Sequence, residues 1–187
     1  MMSTPNDGRS RVVSGRPISG EFASYAKADI DEVAGDDAVE VLAAQERDTL
    51  ALLEPLEERH VRGLTYATGK WTLKEVVGHL VDDERIFAYR ALCIARGDAL
   101  PLPGFDEKTY VAAAGFEERP LADLLAEYRS VRAATITLLG GLTSETWLQR
   151  GIVNGYEASV RGLAFHIAGH EMHHLRILRA RYLRPSQ

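Results

Sequence analysis

Apolar residues recur with helical spacing in four long stretches of this chain, separated by connections rich in glycine, proline and hydroxyl residues. The first runs from about Asp37 to Val61, where Val41, Leu42, Leu50, Leu52 and Leu53 stand among charged neighbours and Gly35 precedes the start. Pro55 lies inside it and predicts a break near Glu54, because proline lacks the N–H that a helix interior uses and disfavours helical geometry before it. The second opens at Trp71-Thr72-Leu73-Lys74-Glu75, with Thr72 as N-cap and Glu75 three residues on in the capping-box position. It should continue to about Arg96, where Gly97-Asp98 and then Pro101 and Pro103 stop it. The third spans about Pro120 to Leu139, opening with proline at an early helical position and closing at Gly140-Gly141. Thr143 and Ser144 can cap a short turn carrying Trp147, and the fourth stretch runs from near Ser159 to about Leu183, before Pro185.

The segments between these stretches are uneven. Leu100 to Arg119 is long for a helix connection and contains Phe105, Tyr110 and Phe116; connections of that size carry some structure or lie over a site. Alternating strand patterns are absent apart from a short extended piece near Ile152 to Asn154. Residues 1–16 are poor in apolar side chains and read as a flexible N-terminal arm, leaving residues 17–187 as one domain. The expected fold class is all-α, a four-helix bundle with an elaborated connection between its second and third helices.

Composition narrows the function classes. A chain of 187 residues buries one substantial core. Its net charge of -5, with both signs interspersed, provides no basic field for nucleic acid. No apolar run reaches the length of a membrane span, and the polar start has no signal-peptide core. Cys93 is the single cysteine; its neighbours Ala91, Leu92 and Ile94 make it a small buried apolar residue rather than a nucleophile. A cytoplasmic protein without nucleic-acid or membrane partners is the simplest reading.

The candidate chemistry lies in histidines. Four of the six fall within His166 to His174. At about 100° per residue, His170 and His174 lie about 40° apart on the fourth helix and share a face with Leu163 and Ile177, so the pair points into the bundle. His166 and His173 flank that face, as hydrogen-bonding neighbours or supports of a ligand. On the second helix, Val76, His79, Asp83, Ile86 and Arg90 share a face, which lets an inward His79 meet the pair. Such a trio can place three imidazole nitrogens on one side of a metal and leave positions open for water or substrate. The competing reading is a set of hydrogen-bonded core histidines that bind nothing. His60 sits among charged residues and is expected in solvent.

His170-Glu171-Met172-His173-His174 also contains the His-Glu-x-x-His spacing of zinc proteases. A metzincin continuation would need glycine and histidine where Ile177 and Ala180 stand, and none of the 13 residues after His174 is His, Glu or Asp. A third ligand must come from upstream, and Glu171, about 100° around the helix from His170, need not face the metal. Asp83, one turn from His79, could orient a ligand or form an ion pair with an arginine such as Arg90.

Trp71 through Leu80, followed by Glu84-Arg85 and Phe87-Ala88-Tyr89-Arg90, resembles the second helix of the DinB-like superfamily, and His170 to His174 resembles its fourth-helix signature. Gly20-Glu21-Phe22 and Leu102-Pro103-Gly104-Phe105-Asp106 resemble one of its subfamilies, and the likeness spans about residues 17 to 184. The resemblance implies a bundle of up-down-down-up type, often a homodimer, with a divalent metal on His79, His170 and His174. Nickel or zinc would be expected first, with iron or manganese also used in the family. It also implies a metal-dependent enzyme, either a thiol S-transferase acting with a low-molecular-weight thiol or a hydrolase, or else a non-catalytic metal-binding module related to stress. Catalytic residues beyond the metal ligands are not assigned by the likeness, and Asp83 and Glu171 stay open.

Overall fold

The computed structural model describes residues 12–183. Its helices are α1 (Lys27–Glu32), α2 (Ala38–Leu53), α3 (Glu58–Val61), α4 (Leu73–Ala95), α5 (Glu107–Ala114), α6 (Leu121–Gly140), α7 (Ser144–Trp147) and α8 (Val160–Ile177). Two strands, β1 (Arg150–Val153) and β2 (Tyr156–Ser159), precede α8. The long helices α2, α4, α6 and α8 form the bundle.

Local chemistry sets the helix ends where the sequence places them. The Asp37 side chain accepts from the backbone N–H groups of Val39 and Glu40 at the head of α2. Thr72 and Glu75 form a reciprocal capping box on α4, with Glu75 N donating to Thr72 Oγ1 at 3.2 Å and Thr72 N to Glu75 Oε2 at 2.7 Å. Thr143 and Ser159 cap α7 and α8 by accepting from the backbone N–H groups of Thr146 and Gly162. The first helical stretch breaks where Pro55 demands it: α2 stops at Leu53 and α3 resumes at Glu58. The fourth does not run as one regular helix to Leu183, because α8 passes at Leu178–Tyr182 into a wider helical turn.

Helix directions follow from side-chain pairings. Gln45 Nε2 donates to Ala168 O and Thr49 Oγ1 to Glu171, so α2 and α8 run the same way. Lys74, at the start of α4, donates to Arg119 O just ahead of α6, while Glu84, farther along α4, pairs with Arg132 farther along α6, so α4 and α6 also run together. His79 meets His170 while Asp83 and Phe87, farther along α4, meet His170 and His166, so α4 opposes α8. The bundle is therefore up-down-down-up. Both α4 and α2 pack on α6 and α8, so the first two long helices occupy diagonal corners.

A buried polar layer divides the core. On one side Leu42, Phe87, Trp147 and Phe165 pack together; on the other Leu53, Leu73, Leu124 and Leu178 do so. Between them Arg132 Nε and Nη2 donate to the Glu84 carboxylate at 2.8–3.1 Å, and Arg132 Nη1 donates to Leu42 O at 2.9 Å. Arg132 Nη2 also reaches Glu171, whose other oxygen accepts from Tyr128 and Thr49. A buried cation between two carboxylates ties all four long helices together.

The extended piece expected near Ile152 is one strand of a hairpin. Asn154 and Gly155 form its two-residue turn, both left-handed with φ of 48° and 81°, the geometry that asparagine-glycine favours because it matches strand twist. The long connection from α4 to α6 pairs with this hairpin, with Leu102 N donating to Ile152 O and Asn154 N to Leu102 O, each at 2.9 Å. It then folds into α5 and places Phe116 over Gly78 of α4, where a Cβ would lie 2.4 Å from the ring. Gly169 of α8 is a second close approach, because a Cβ there would meet the Asp29 backbone at 2.7 Å.

Of the segment read as an arm, residues 1–11 lie outside the described residues. Ser14 and Arg16 are held against the bundle: Ala38 N donates to Ser14 Oγ at 3.0 Å, and Arg16 donates to Ile30 O and Gly35 O while stacking over Phe165. Among the described residues no helix is long and apolar enough to cross a membrane.

Candidate metal centre

The second turn of α4 and the last two turns of α8 meet at one end of the bundle, which brings His79, His170 and His174 together. His79 Nε2 and His174 Nε2 each lie 3.1 Å from His170 Nε2. A tetrahedral cation with ring nitrogens at 2.0–2.1 Å would set neighbouring nitrogens about 3.3 Å apart, so the donor atoms stand close to the separation that such an ion requires. The trio that helix geometry selected is thus one constellation in space.

Asp83 lies behind it. Its Oδ2 is 3.2 Å from His170 Nδ1, the ring nitrogen turned away from the other two histidines. A carboxylate at Nδ1 holds the proton there and leaves Nε2 with its lone pair facing the trio. Asp83 therefore positions His170 and has no ion pair with Arg90. Its carboxyl is opposed by burial but held well below the usual range by the adjacent His170.

Electrostatics keep two of the three rings neutral. Burial, reinforced by His170, pushes His79 down to about 4, and burial with His170 and His79 close by pushes His174 down to about 2. For His170, burial acts downward but the Asp83 carboxylate outweighs it, so its net shift is upward.

The flanking histidines have separate partners. His166 is buried, stacks on Phe87 with ring centroids 3.8 Å apart and planes 9° off parallel, and keeps Nε2 at 3.9 Å from Asp83 Oδ2. Burial pushes it down to about 4. His173 Nδ1 faces Asp29 Oδ1 at 3.1 Å, which joins α8 to α1. His60 is exposed on α3 and does not line the cleft that holds the trio. Glu171 points the other way, into the Arg132 layer, and is 2% exposed. The residue that makes the segment look like a protease signature is a structural anion.

The trio floors an open cleft of about 440 Å³ with aromatic walls from Trp71, Phe87 and Phe105. Tyr25, Asp29 and Asn154 also line it, and residue spacing did not point to them. Asn154 is the one with a local signal, since asparagine before Gly155 marks the turn that carries it to the cleft. Tyr25 and Asp29 reach it only because the segment before α2 packs on α8.

Comparisons with known proteins agree with this architecture. The sequence model of the DinB superfamily matches residues 41–178. YfiT from Bacillus subtilis, described as a probable metal-dependent hydrolase with an unusual four-helix bundle topology, superposes with a TM-score of 0.68 at 18% identity, covering 78% of this chain and 86% of its own. At that identity the likeness is one of fold. No curated protein matches the chain.

Proposed function

The chain belongs to the DinB superfamily, and from that premise we propose that it is a metal-dependent enzyme of thiol S-transferase type, holding a divalent ion on His79, His170 and His174. The observation that carries the proposal is the convergence of three imidazoles, with His79 Nε2 and His174 Nε2 each 3.1 Å from His170 Nε2, on the floor of an open aromatic cleft. Imidazole donors suit zinc, nickel, copper and iron alike, and nickel or zinc are the ions that the family resemblance implies first. When bound, the ion would supply Lewis acidity that lowers the pKa of a thiol or water and makes a nucleophile available near neutral pH.

The chain's own residues determine what that chemistry can use. Three neutral imidazole ligands would leave the double charge of a bound ion unreduced at its own coordination shell, which would favour an anionic partner. Asp83 sets the orientation of His170, and Trp71, Phe87 and Phe105 shape a partly apolar wall for an organic electrophile. The inner carboxylates of the cleft are both engaged, Asp83 with His170 and Asp29 with His173, while Glu107 lies exposed at the mouth. With no inner carboxylate free as a general base among the described residues, a nucleophile that loses its proton easily is favoured, and a thiol does so more readily than water.

Hydrolysis is the second reading, supported by the description of YfiT as a probable metal-dependent hydrolase. The two are separated by assaying natively purified protein, with its metal content measured, against electrophiles plus low-molecular-weight thiols and against model esters and amides. Thiol consumption that disappears in His170→Ala supports transfer; ester or amide cleavage that disappears supports hydrolysis. Stoichiometric metal with neither activity would count against both and leave a binding module.

A further inference from the structure

Two arginines buried among the described residues stand in opposite circumstances. Arg132 has two carboxylates, whereas Arg90 is 4% exposed, lines the cleft and has no carboxylate partner among the described residues. Its hydrogen bond among the described residues runs from Nη2 to Pro103 O at 2.7 Å. Its guanidinium lies over the Phe87 ring at 4.7 Å and the Phe105 ring at 5.6 Å, both walls of the same cleft. A buried guanidinium offers five donors and costs free energy when its charge is uncompensated, so such a group beside an open cavity is built to receive an anion.

We infer that the cleft takes a substrate bearing a carboxylate, and that Arg90 receives it at the end of the cleft away from the histidine trio. The inference rests on reading the cleft as a substrate site. Arg90 follows His79 by 11 positions on α4, about 16 Å along the axis, less what the arginine side chain regains by leaning toward the helix N-terminus. Phe87 and Phe105 lie beside the guanidinium, so the matching molecule carries an apolar or aromatic body next to its carboxylate. A phosphate dianion fits less well, because Asp83 and Asp29 line the same cleft and repel a second negative charge. The planar fork of Arg90 matches a carboxylate in two-point contact, and its contacts with both rings and with Pro103 O restrain that plane.

The test uses 3-phenylpropionate and its neutral isostere 3-phenylpropionamide, titrated into the full-length protein by calorimetry or ligand-observed NMR. The acid is expected to bind at least tenfold more tightly than the amide. That preference is expected to vanish in Arg90→Gln, to be reduced but present in Arg90→Lys, and to persist in His174→Ala, where the metal trio is broken. Equal binding of acid and amide to the unaltered protein overturns the inference, and needs no variant to fold. A preference retained in Arg90→Gln but lost in His174→Ala also overturns it, by placing the carboxylate on the histidine site. Because the His174→Ala arm needs no metal and no turnover, failure of the proposed enzymatic activity leaves this result readable.

Discussion

Asp83 Oδ2 stands 3.2 Å from His170 Nδ1, on the side of the ring away from His79 and His174. One carboxylate thus fixes both the tautomer and the rotation of the central ring, the only member of the trio within 3.1 Å of both others. Asp83→Ala is expected to lower divalent-metal affinity by about 10- to 100-fold, the usual cost of losing a carboxylate that supports a ligand histidine. Competition against a chromophoric chelator measures this, and unchanged affinity would show that His170 is held by something else.

Metal occupancy should stabilise the fold. A ligand bound only by the native state adds about 2.7 kcal/mol at a hundredfold excess over its Kd. Thermal unfolding is therefore expected to rise by several degrees with nickel or zinc and to return with chelator, while His79→Ala and His174→Ala show no such response. A shift of equal size in either variant would dissociate those residues from the site.

In metal-free protein, stability should fall on acidification from neutrality. His79 and His166 are lowered to about 4 and His174 to about 2 by burial, so their neutral forms are the folded ones. The unfolded chain takes up protons first, near its ordinary histidine pKa of about 6.5, and folding loses free energy as pH drops from there toward 4. His170 acts in the opposite sense: its raised pKa adds stability that is complete at lower pH and fades as pH rises through its folded value. Asp83, lowered, stabilises above its unfolded pKa and is lost only as pH falls through its own depressed value. Three groups against one predict a lower urea midpoint at pH 5 than at pH 7, with His166→Phe flattening the slope. A midpoint unchanged between those pH values would contradict the burial of these rings as neutral species.

Glu171 should matter to the fold and not to the metal. Glu171→Ala strips one carboxylate from the Arg132 layer and the acceptor of Tyr128 and Thr49, and is expected to cost about 3–5 kcal/mol. Metal bound per folded molecule should be unchanged. Normal stability combined with lost activity would instead restore Glu171 as a catalytic base.

Much of this protein can be read from its residues in order. Asp37, Thr72 with Glu75, Thr143 and Ser159 are caps whose chemistry is local, and Pro55 breaks a helix wherever it stands, so the long helices and their ends follow from short-range physics. The period of about 3.6 residues also put His170 and His174 on one face and His79 with Asp83 on another. What spacing could not decide is how those faces meet, because that depends on which helices become neighbours. With α4 antiparallel to α8, Asp83 falls behind His170 and Arg90 is left without a carboxylate among the described residues, while α6 brings Arg132 to Glu171 and takes that glutamate out of the cleft. Tyr25, Asp29 and Asn154 arrive from distant segments for the same reason. Side-chain identity and periodicity are local properties of the chain, whereas pairing among buried charges is a property of packing, and here it separates the histidines that converge from the glutamate that only accompanies them in sequence.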